Sequence, residues 1–241
     1  MHALIVAAGF GSRLRAVSPS KPLTPVAGVP LIERVILAAH EGGADAITIV
    51  TGYEAEGIER WADAAAARLG LSIECVRTAD WSLPNGHSVL SGAERIGRDR
   101  HLLMMADHLV DPALVAAVAG SPDAPLTLGI DRRLDNPLVD MDDVTRVKTD
   151  TDGAIVAIGK LIDDYDCFDT GVFAVDGRFH DALRASIAAG GSGSISAGVE
   201  ALATSGGART VDVGDAWWLD VDDPRALDQA EAAFAHSIAA E

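Results

Sequence analysis

Short apolar runs alternate along this chain with stretches whose apolar residues recur at helical spacing. Ala3 to Ala7 is an uninterrupted apolar run that predicts a buried strand, and it passes directly into Gly9 and Gly11. Leu31 to His40 sets Leu31, Val35 and Ala38 on one face and stops at Gly42 and Gly43, the pattern of an amphipathic helix with a glycine end. Ala46 to Val50 predicts a second strand, Ala55 to Leu69 an alanine-rich helix, Leu71 to Val76 a third strand and Ser88 to Ile96 a helix. His101 to Met105 and Leu126 to Ile130 predict two more buried strands. Strands alternating with helices in this way imply an α/β fold.

The pattern changes near Asp140. Val144 to Lys148 and Ala154 to Ile158 alternate around Thr151-Asp152-Gly153, a hairpin signal. Phe168 to Val175 predicts a strand, Phe179 to Ala189 a helix, and Gly190 to Ser194 a flexible loop. Thr210 to Val213 and Trp217 to Val221 predict strands. Pro224 opens a final helix to about Ala239, with Asp223 as its cap. No internal repeat and no long linker divides the chain, so a single domain over residues 1–241 is expected.

Composition adds limits rather than a function. Apolar residues make up 49% of 241, enough for a sizeable core, and the 23% of charged residues argues against disorder over most of the length. A net charge of −17 speaks against nucleic acid or an anionic membrane as partner. A protein this acidic must also gather its few cations, or a metal, wherever it binds a polyphosphate; Arg13, Arg15 and Lys21 are gathered near the amino end. Cys75 and Cys167 have neither disulfide nor zinc spacing and read as small buried residues in a reducing compartment. No apolar run reaches membrane-span length and no leader precedes the first strand, which makes the cytoplasm the expected location.

The candidate chemistry begins where the first strand ends. Ala7-Ala8-Gly9-Phe10-Gly11-Ser12-Arg13-Leu14 is followed by Ser20-Lys21-Pro22-Leu23. Glycines let the backbone approach a polyphosphate and offer it N–H groups, and Arg13 and Lys21 can neutralise its charge. The string is not a P-loop, since no lysine follows the second glycine, nor a dinucleotide fingerprint, since Leu14 stands at the third glycine position. Asp107 lies just past a buried strand, at the mouth of the sheet, where a magnesium ligand is often placed; Asp111, before Pro112, is the better placed helix cap. Asp220 and Asp222 fall on one face of a strand, and two carboxylates together call for a cation between them. Asn85-Gly86-His87-Ser88 precedes a helix and offers an amide to a pyrimidine edge, or else is a turn and cap. Lys160 follows a buried glycine near Asp169 and Thr170, which can bind the hydroxyls of a polyol; a lone lysine such as Lys148 usually sits on a solvated face.

The glycine string with its downstream Ser-Lys-Pro-Leu resembles the signature of nucleotidyltransferases that activate sugar and alditol phosphates, the MobA-like, GT-A-like NTP transferases. With Val50 to Tyr53, Ala106 to His108, Arg146 to Lys148, Ile158 to Lys160, Asp166 to Phe173 and Trp218 to Asp222 added in order, the chain is similar to the cytidylyltransferases that make CDP-inositol from CTP and inositol 1-phosphate. The tract from Arg146 to Phe173 is the specific part. The resemblance implies a three-layer α/β/α, Rossmann-like domain with a mixed central sheet. It implies a nucleotide half over about 1–135 and an acceptor half over about 136–241. It places the nucleotide on Ala7, Ala8, Gly9, Gly11, Ser12, Arg13, Lys21, Asn85, Gly86 and Ser88, and the acceptor on Lys148, Lys160, Asp169 and Thr170. Mg²⁺ would lie on Asp107 and Asp220, with Arg13, Lys21 and Asp107 as the catalytic set. CTP and a polyol phosphate are then the partners, and a homodimer is left open. Such cytidylyltransferases are often fused to a membrane-embedded synthase, and no segment of that kind lies in these 241 residues. Ala197 also stands where an acidic residue is expected near the polyol pocket.

Three rivals stay on the table. The same chemistry could serve a hexose 1-phosphate or phosphocholine, although a quaternary ammonium wants an aromatic box and aromatics are only 5% of the chain. A catalytically silent nucleotide-sugar sensor or regulatory subunit would have no need of Lys21, Asp107 and Asp220. A dinucleotide-dependent oxidoreductase lacks its third glycine.

Overall fold

A computed structural model describes residues 1–238 of the chain. Strand β1 (His2–Ala7) starts the sheet, and a small hairpin of β2 (Pro25–Val26) and β3 (Val29–Pro30) leads into helix α1 (Leu31–Glu41). Then come β4 (Ala46–Thr51), α2 (Ala55–Leu69), β5 (Ser72–Arg77), α3 (Asn85–Ile96), β6 (His101–Met105), β7 (His108–Val110), α4 (Pro112–Ala119) and β8 (Leu126–Asp131). The rest of the chain adds β9 (Arg146–Thr149), β10 (Ile155–Gly159), β11 (Cys167–Val175), α5 (Gly177–Ala188), α6 (Ile195–Ala203), β12 (Ala208–Asp212), β13 (Trp218–Asp220) and α7 (Pro224–Ile238). The expected last residue of the final helix, Ala239, lies outside the described residues.

Among the described residues nine strands form one mixed sheet. Its parallel part runs β5-β4-β1-β6, with Ile5 beside Ile49 on one side and Met104 on the other. The antiparallel part hangs on β11. One edge of β11 pairs with β6 over Val172 to Val175 and with β9 over Cys167 and Phe168; the other edge carries β8, to which β12 adds in parallel. Helices cover both faces. Leu31, Ile58, Val115 and Leu227 bring α1, α2, α4 and α7 onto one core, while Val89, Phe179 and Val199 bring α3, α5 and α6 onto the other. This is the three-layer α/β/α arrangement with a mixed sheet. From β1 the chain moves outward to β4 on one side and to β6 on the other. The loops after β1 and β6 therefore part at the carboxyl edge, where α/β sheets bind ligands.

Three local departures from the sequence pattern matter for the site. Helix α3 begins at Asn85 rather than Ser88, so Asn85 to Ser88 form its first turn behind Pro84. Helix α6 is not predicted by the sequence pattern. Its apolar residues Ile195, Val199 and Leu202 have helical spacing and Ser194 accepts from Ala197 N at 3.1 Å, but the glycine run before it and Gly198 within it obscure the pattern. Strand β13 pairs, among the described residues, only with β7, placing Asp220 directly opposite His108. Asp111 and Asp223 do act as caps, accepting from Ala113 N and Ala226 N at 2.8 Å each. Among the described residues no helix is long and apolar enough to cross a membrane.

Candidate functional site

Two adjoining clefts open at the carboxyl edge of the parallel strands. A glycine cleft is lined by Ala7, Gly9, Gly11, Ser12, Arg13, Lys21, Asp107 and Asp222. A larger cleft is lined by Asn85, His108, Asp143, Lys160, Asp169, Gly171, Phe173, Trp218 and Asp220, among others. Val6, Gly9, Asp107 and Asp222 belong to both, so the two clefts meet at the carboxylates. Nothing would lie within 4 Å of a side chain added at Gly9, which leaves its backbone open to a ligand. Gly11 takes a left-handed conformation (φ +59°) and lies so close to Lys21 that a Cβ there would sit 2.6 Å from the lysine Cβ. That close approach tucks Lys21 under the loop.

Lys21 is 8% exposed. Its Nζ donates to Asp107 Oδ2 at 2.6 Å and to Asp222 Oδ1. Burial opposes its charge, but Asp107, Asp222 and Asp220 outweigh that and hold the ammonium above the usual lysine range. Arg13 donates to Asp143 and Asp222 at 2.6 Å each, and Lys160 donates to Asp143. The result is one continuous chain of alternating charge, Lys160-Asp143-Arg13-Asp222-Lys21-Asp107, across both clefts. Arg15 is not part of it. It lies over the rings of Phe10 and Tyr53 and donates to the Tyr53 hydroxyl.

Among the described residues one of the acidic groups has a buried oxygen without a hydrogen bond. His108 Nδ1 donates to Asp107 Oδ1 at 2.9 Å. Burial disfavours the imidazolium, yet Asp220 and Asp107 push its pKa up to about 9. Burial also opposes ionisation of Asp107, but Lys21 and His108 hold it well below the usual carboxylate range. Asp220 is different. Burial, together with Asp107 and Asp222, raises it to about 7, and its Oδ1 is buried with no hydrogen-bond partner, 3.7 Å from His108 Nδ1. Ligand atoms of Asp107, His108 and Asp220 lie within 4.8 Å of one another, as do those of Asp143, Asp220 and Asp222. An unpaired carboxylate oxygen amid other carboxylates fits a hard divalent cation.

The remaining expected residues divide. Asp169 lines the larger cleft, accepts from Gly171 N at 2.7 Å and is raised to about 6 by burial. Thr170, its neighbour on β11, points to the opposite face: it is fully buried and donates to Gly129 O at 2.8 Å, which removes it from the acceptor cleft. Lys148 is likewise removed, pairing with Asp164 at 2.7 Å away from both clefts. Ala8 and Ser88 are buried beside the site and line neither cleft. Of the aromatics, Trp218 and Phe173 line the larger cleft, whereas Tyr53 and Trp81 pack with Phe10 and Trp217 packs on Phe234. Asp143 and His108 were not singled out in the sequence. Asp143 is hidden in an acidic run after Asp140, and His108 was visible only as the neighbour of Asp107.

Asn85 also needs a correction. Its Oδ1 accepts from Ile195 N at 2.9 Å, so the amide first links α3 to the start of α6 and its oxygen is not simply available to a base. Gly86 completes the link by donating from N to Gly193 O at 3.0 Å, and a Cβ on Gly86 would land on that same carbonyl oxygen. Gly86→Ala is therefore expected to lower stability by about 1–3 kcal/mol through overpacking. Thermal melting checks this, and an unchanged Tm would contradict the contact.

A parallel core opening at its switch point, with a glycine loop, a buried lysine and facing carboxylates, is the arrangement of a Rossmann-like nucleotide-binding fold. A family model described as the MobA-like NTP transferase domain matches residues 3–146. The chain belongs to this family. The bifunctional IPC transferase and DIPP synthase of Rubrobacter xylanophilus is 33% identical over 233 residues, covering 95% of this chain and 51% of its own. The CMP-5'-(3-aminopropyl)phosphonate synthase of Streptomyces rubellomurinus is 31% identical over 257 residues, covering 97% of this chain and 39% of its own. The chain thus spans about half the length, or less, of these curated relatives. The inositol-1-phosphate CTP transferase from T. maritima superposes with a TM-score of 0.85 at 23% identity, over 96% of this chain and 94% of that one. At that identity the likeness establishes the fold.

Proposed function

We propose that this chain joins CTP and inositol 1-phosphate to give CDP-inositol and pyrophosphate. The observation that carries the reading is the pair of clefts meeting at Asp107 and Asp222, each with its own lysine. One cleft has the glycine loop that suits a triphosphate. The other has Lys160 and Asp169, which suit a phosphorylated polyol. The tract from Arg146 to Phe173 and the Rubrobacter relative's match over 95% of this chain support inositol 1-phosphate as the acceptor. In this reading the whole chain acts as one unit, its first half holding nucleotide and its second half acceptor.

The acceptor phosphate oxygen attacks the α-phosphorus of CTP, and the bond from that phosphorus to the bridging oxygen breaks as pyrophosphate leaves. A phosphate monoester is already anionic near neutral pH, so no general base is required. Backbone N–H groups at Gly9 and Gly11 cradle the triphosphate, and Arg13 and Lys21 neutralise it. Lys160 draws in the acceptor phosphate and Asp169 receives ring hydroxyls, which brings two anions together in one orientation. Asp107 and Asp220 would hold Mg²⁺, in keeping with the unpaired Asp220 Oδ1. When bound, that ion supplies Lewis-acid stabilisation of the phosphate oxygens.

Pyrophosphate release from CTP and Mg²⁺ with a panel of acceptors tests the reading. Inositol 1-phosphate is expected to give the highest kcat/KM. Phosphocholine is expected to be poor, since Phe173 and Trp218 do not make a box. The Streptomyces relative puts 3-aminopropylphosphonate in the panel, and a higher kcat/KM there would replace the acceptor while keeping the cytidylyl transfer. UTP is expected to be roughly ten- to a hundredfold worse than CTP, because an acceptor placed for the cytosine amino group meets a carbonyl in uracil. With Asn85 Oδ1 engaged, that acceptor is a backbone carbonyl. Equal kcat/KM for the two nucleotides would refute the preference.

A further inference from the structure

The segment from Arg132 to Thr145 contains no strand and no α-helix, yet Pro137, Leu138, Asp143 and Val144 from it form one wall of the larger cleft. Its start is tied down by a fully buried carboxylate at the end of β8, Asp131, while Asp143 near its other end pairs with Arg13 and Lys160. Asp131 Oδ1 accepts from Arg133 N and from Arg133 Nε, both at 2.8 Å. Its Oδ2 accepts from Arg133 Nη2 at 3.0 Å, Asn136 Nδ2 at 2.9 Å and Trp218 Nε1 at 2.8 Å. Each partner passes the constraint on. Arg133 Nη2 also donates to Ala216 O at 2.9 Å, and Asn136 Oδ1 accepts from Leu138 N at 3.1 Å. Trp218 is 4% exposed, lines the cleft and opens β13, the strand that ends in Asp220.

A buried charge costs several kcal/mol unless every lone pair is used, so such a residue is kept where it organises something. Burial opposes ionisation of Asp131, yet Arg133, Trp218 and Asn136 hold its carboxyl below the usual range. The two elements it joins are far apart in sequence. One carries Asp143, which pairs with Arg13 and Lys160, and the other carries Asp220.

We propose that Asp131 is a positioning residue for the acceptor: it sets the 132–145 wall against the Trp218–Asp220 strand and so fixes the shape of the larger cleft. The role toward the acceptor rests on the proposed cytidylyl transfer. The tie between the two elements does not.

The test uses D131N, which keeps the shape but replaces one acceptor oxygen with an amino group facing donors, and W218F, which keeps an aromatic side chain but removes the indole N–H donor together with part of the ring system. Trypsin cleavage after Arg132 or Arg133 in the folded protein reports the wall without reference to any substrate. It is expected to speed up by about tenfold in D131N, the effect of losing a charged, buried hydrogen-bond set. Steady-state kinetics should then give D131N an acceptor KM raised about tenfold with the CTP KM within about twofold, and W218F a smaller change in the same direction. Cleavage at the native rate together with an unchanged acceptor KM would overturn the proposal. So would an equal rise in both KM values. If D131N does not fold, W218F decides: an unchanged acceptor KM and unchanged cleavage overturn the proposal. If the unaltered protein turns over no acceptor on the panel, the functional reading fails while the cleavage rates still answer for the tie.

Discussion

Asp107→Ala is expected to lower kcat/KM by at least about a thousandfold, roughly 4 kcal/mol of transition-state stabilisation, with the fold retained. The reason lies in the charge balance of the clefts. Arg13 and Lys21 are the cations that line the glycine cleft, and each is already paired with Asp107, Asp143 or Asp222. A triphosphate entering a protein of net charge −17 would meet carboxylates at close quarters unless further positive charge came with it. Asp107 is shared by both clefts and lies with His108 and Asp220 in one of the groups whose ligand atoms are close enough together to hold a divalent ion. Lys21 keeps Asp222 when Asp107 is lost, so the buried ammonium is not stranded and the fold survives. Pyrophosphate release and circular dichroism melts on the same preparations check both halves of the expectation. Full activity of the unaltered protein in excess EDTA would overturn the metal assignment.

The two lysines are expected to fail differently. Lys21→Met should abolish measurable turnover and also lower Tm, because Asp107 is then left with His108 alone and Asp222 with Arg13 alone, a loss of about 1–3 kcal/mol. Lys160 is about half exposed and its pairing with Asp143 is solvated, so Lys160→Ala should change stability by no more than about 1 kcal/mol. Its effect is expected in the acceptor KM, raised about tenfold, with the CTP KM nearly unchanged. The division follows from position: Lys21 lines the glycine cleft and Lys160 the larger one. Indistinguishable kinetic defects in the two variants would contradict it.

Several features of this protein can be read from the chain alone because their causes are local. The apolar runs that become β1, β4, β6 and β11 are nearly continuous, as strands covered on both faces must be. Gly9, Gly11, Arg13 and Lys21 lie within thirteen residues, so one stretch of chain supplies the glycines and cations of the glycine cleft, while Asp107 and Asp222 reach it from elsewhere. Asp107 follows a buried strand directly, and strand ends at the carboxyl edge are where such sheets place ligands. The caps at Asp111 and Asp223 reach only to the second or third residue beyond. Helix α6 was obscured because glycines in and before it cancel the local signal, although Ile195, Val199 and Leu202 carry the right period.

The chain by itself thus determined the strand and helix alternation, the glycine loop and the acidic residues beside it. Only the tertiary structure decided how the polar groups divide. It placed Asp143 between Arg13 and Lys160, Asp220 opposite His108 and Asp131 among Arg133, Asn136 and Trp218. It took Thr170 to Gly129, Lys148 to Asp164 and the Asn85 oxygen to Ile195. The physical reason is that hydrophobic periodicity records which side of an element faces the core, a property of neighbours along the chain. A polar side chain's partner is set by which distant strands and loops pack beside it, and 130 residues separate Arg13 from Asp143.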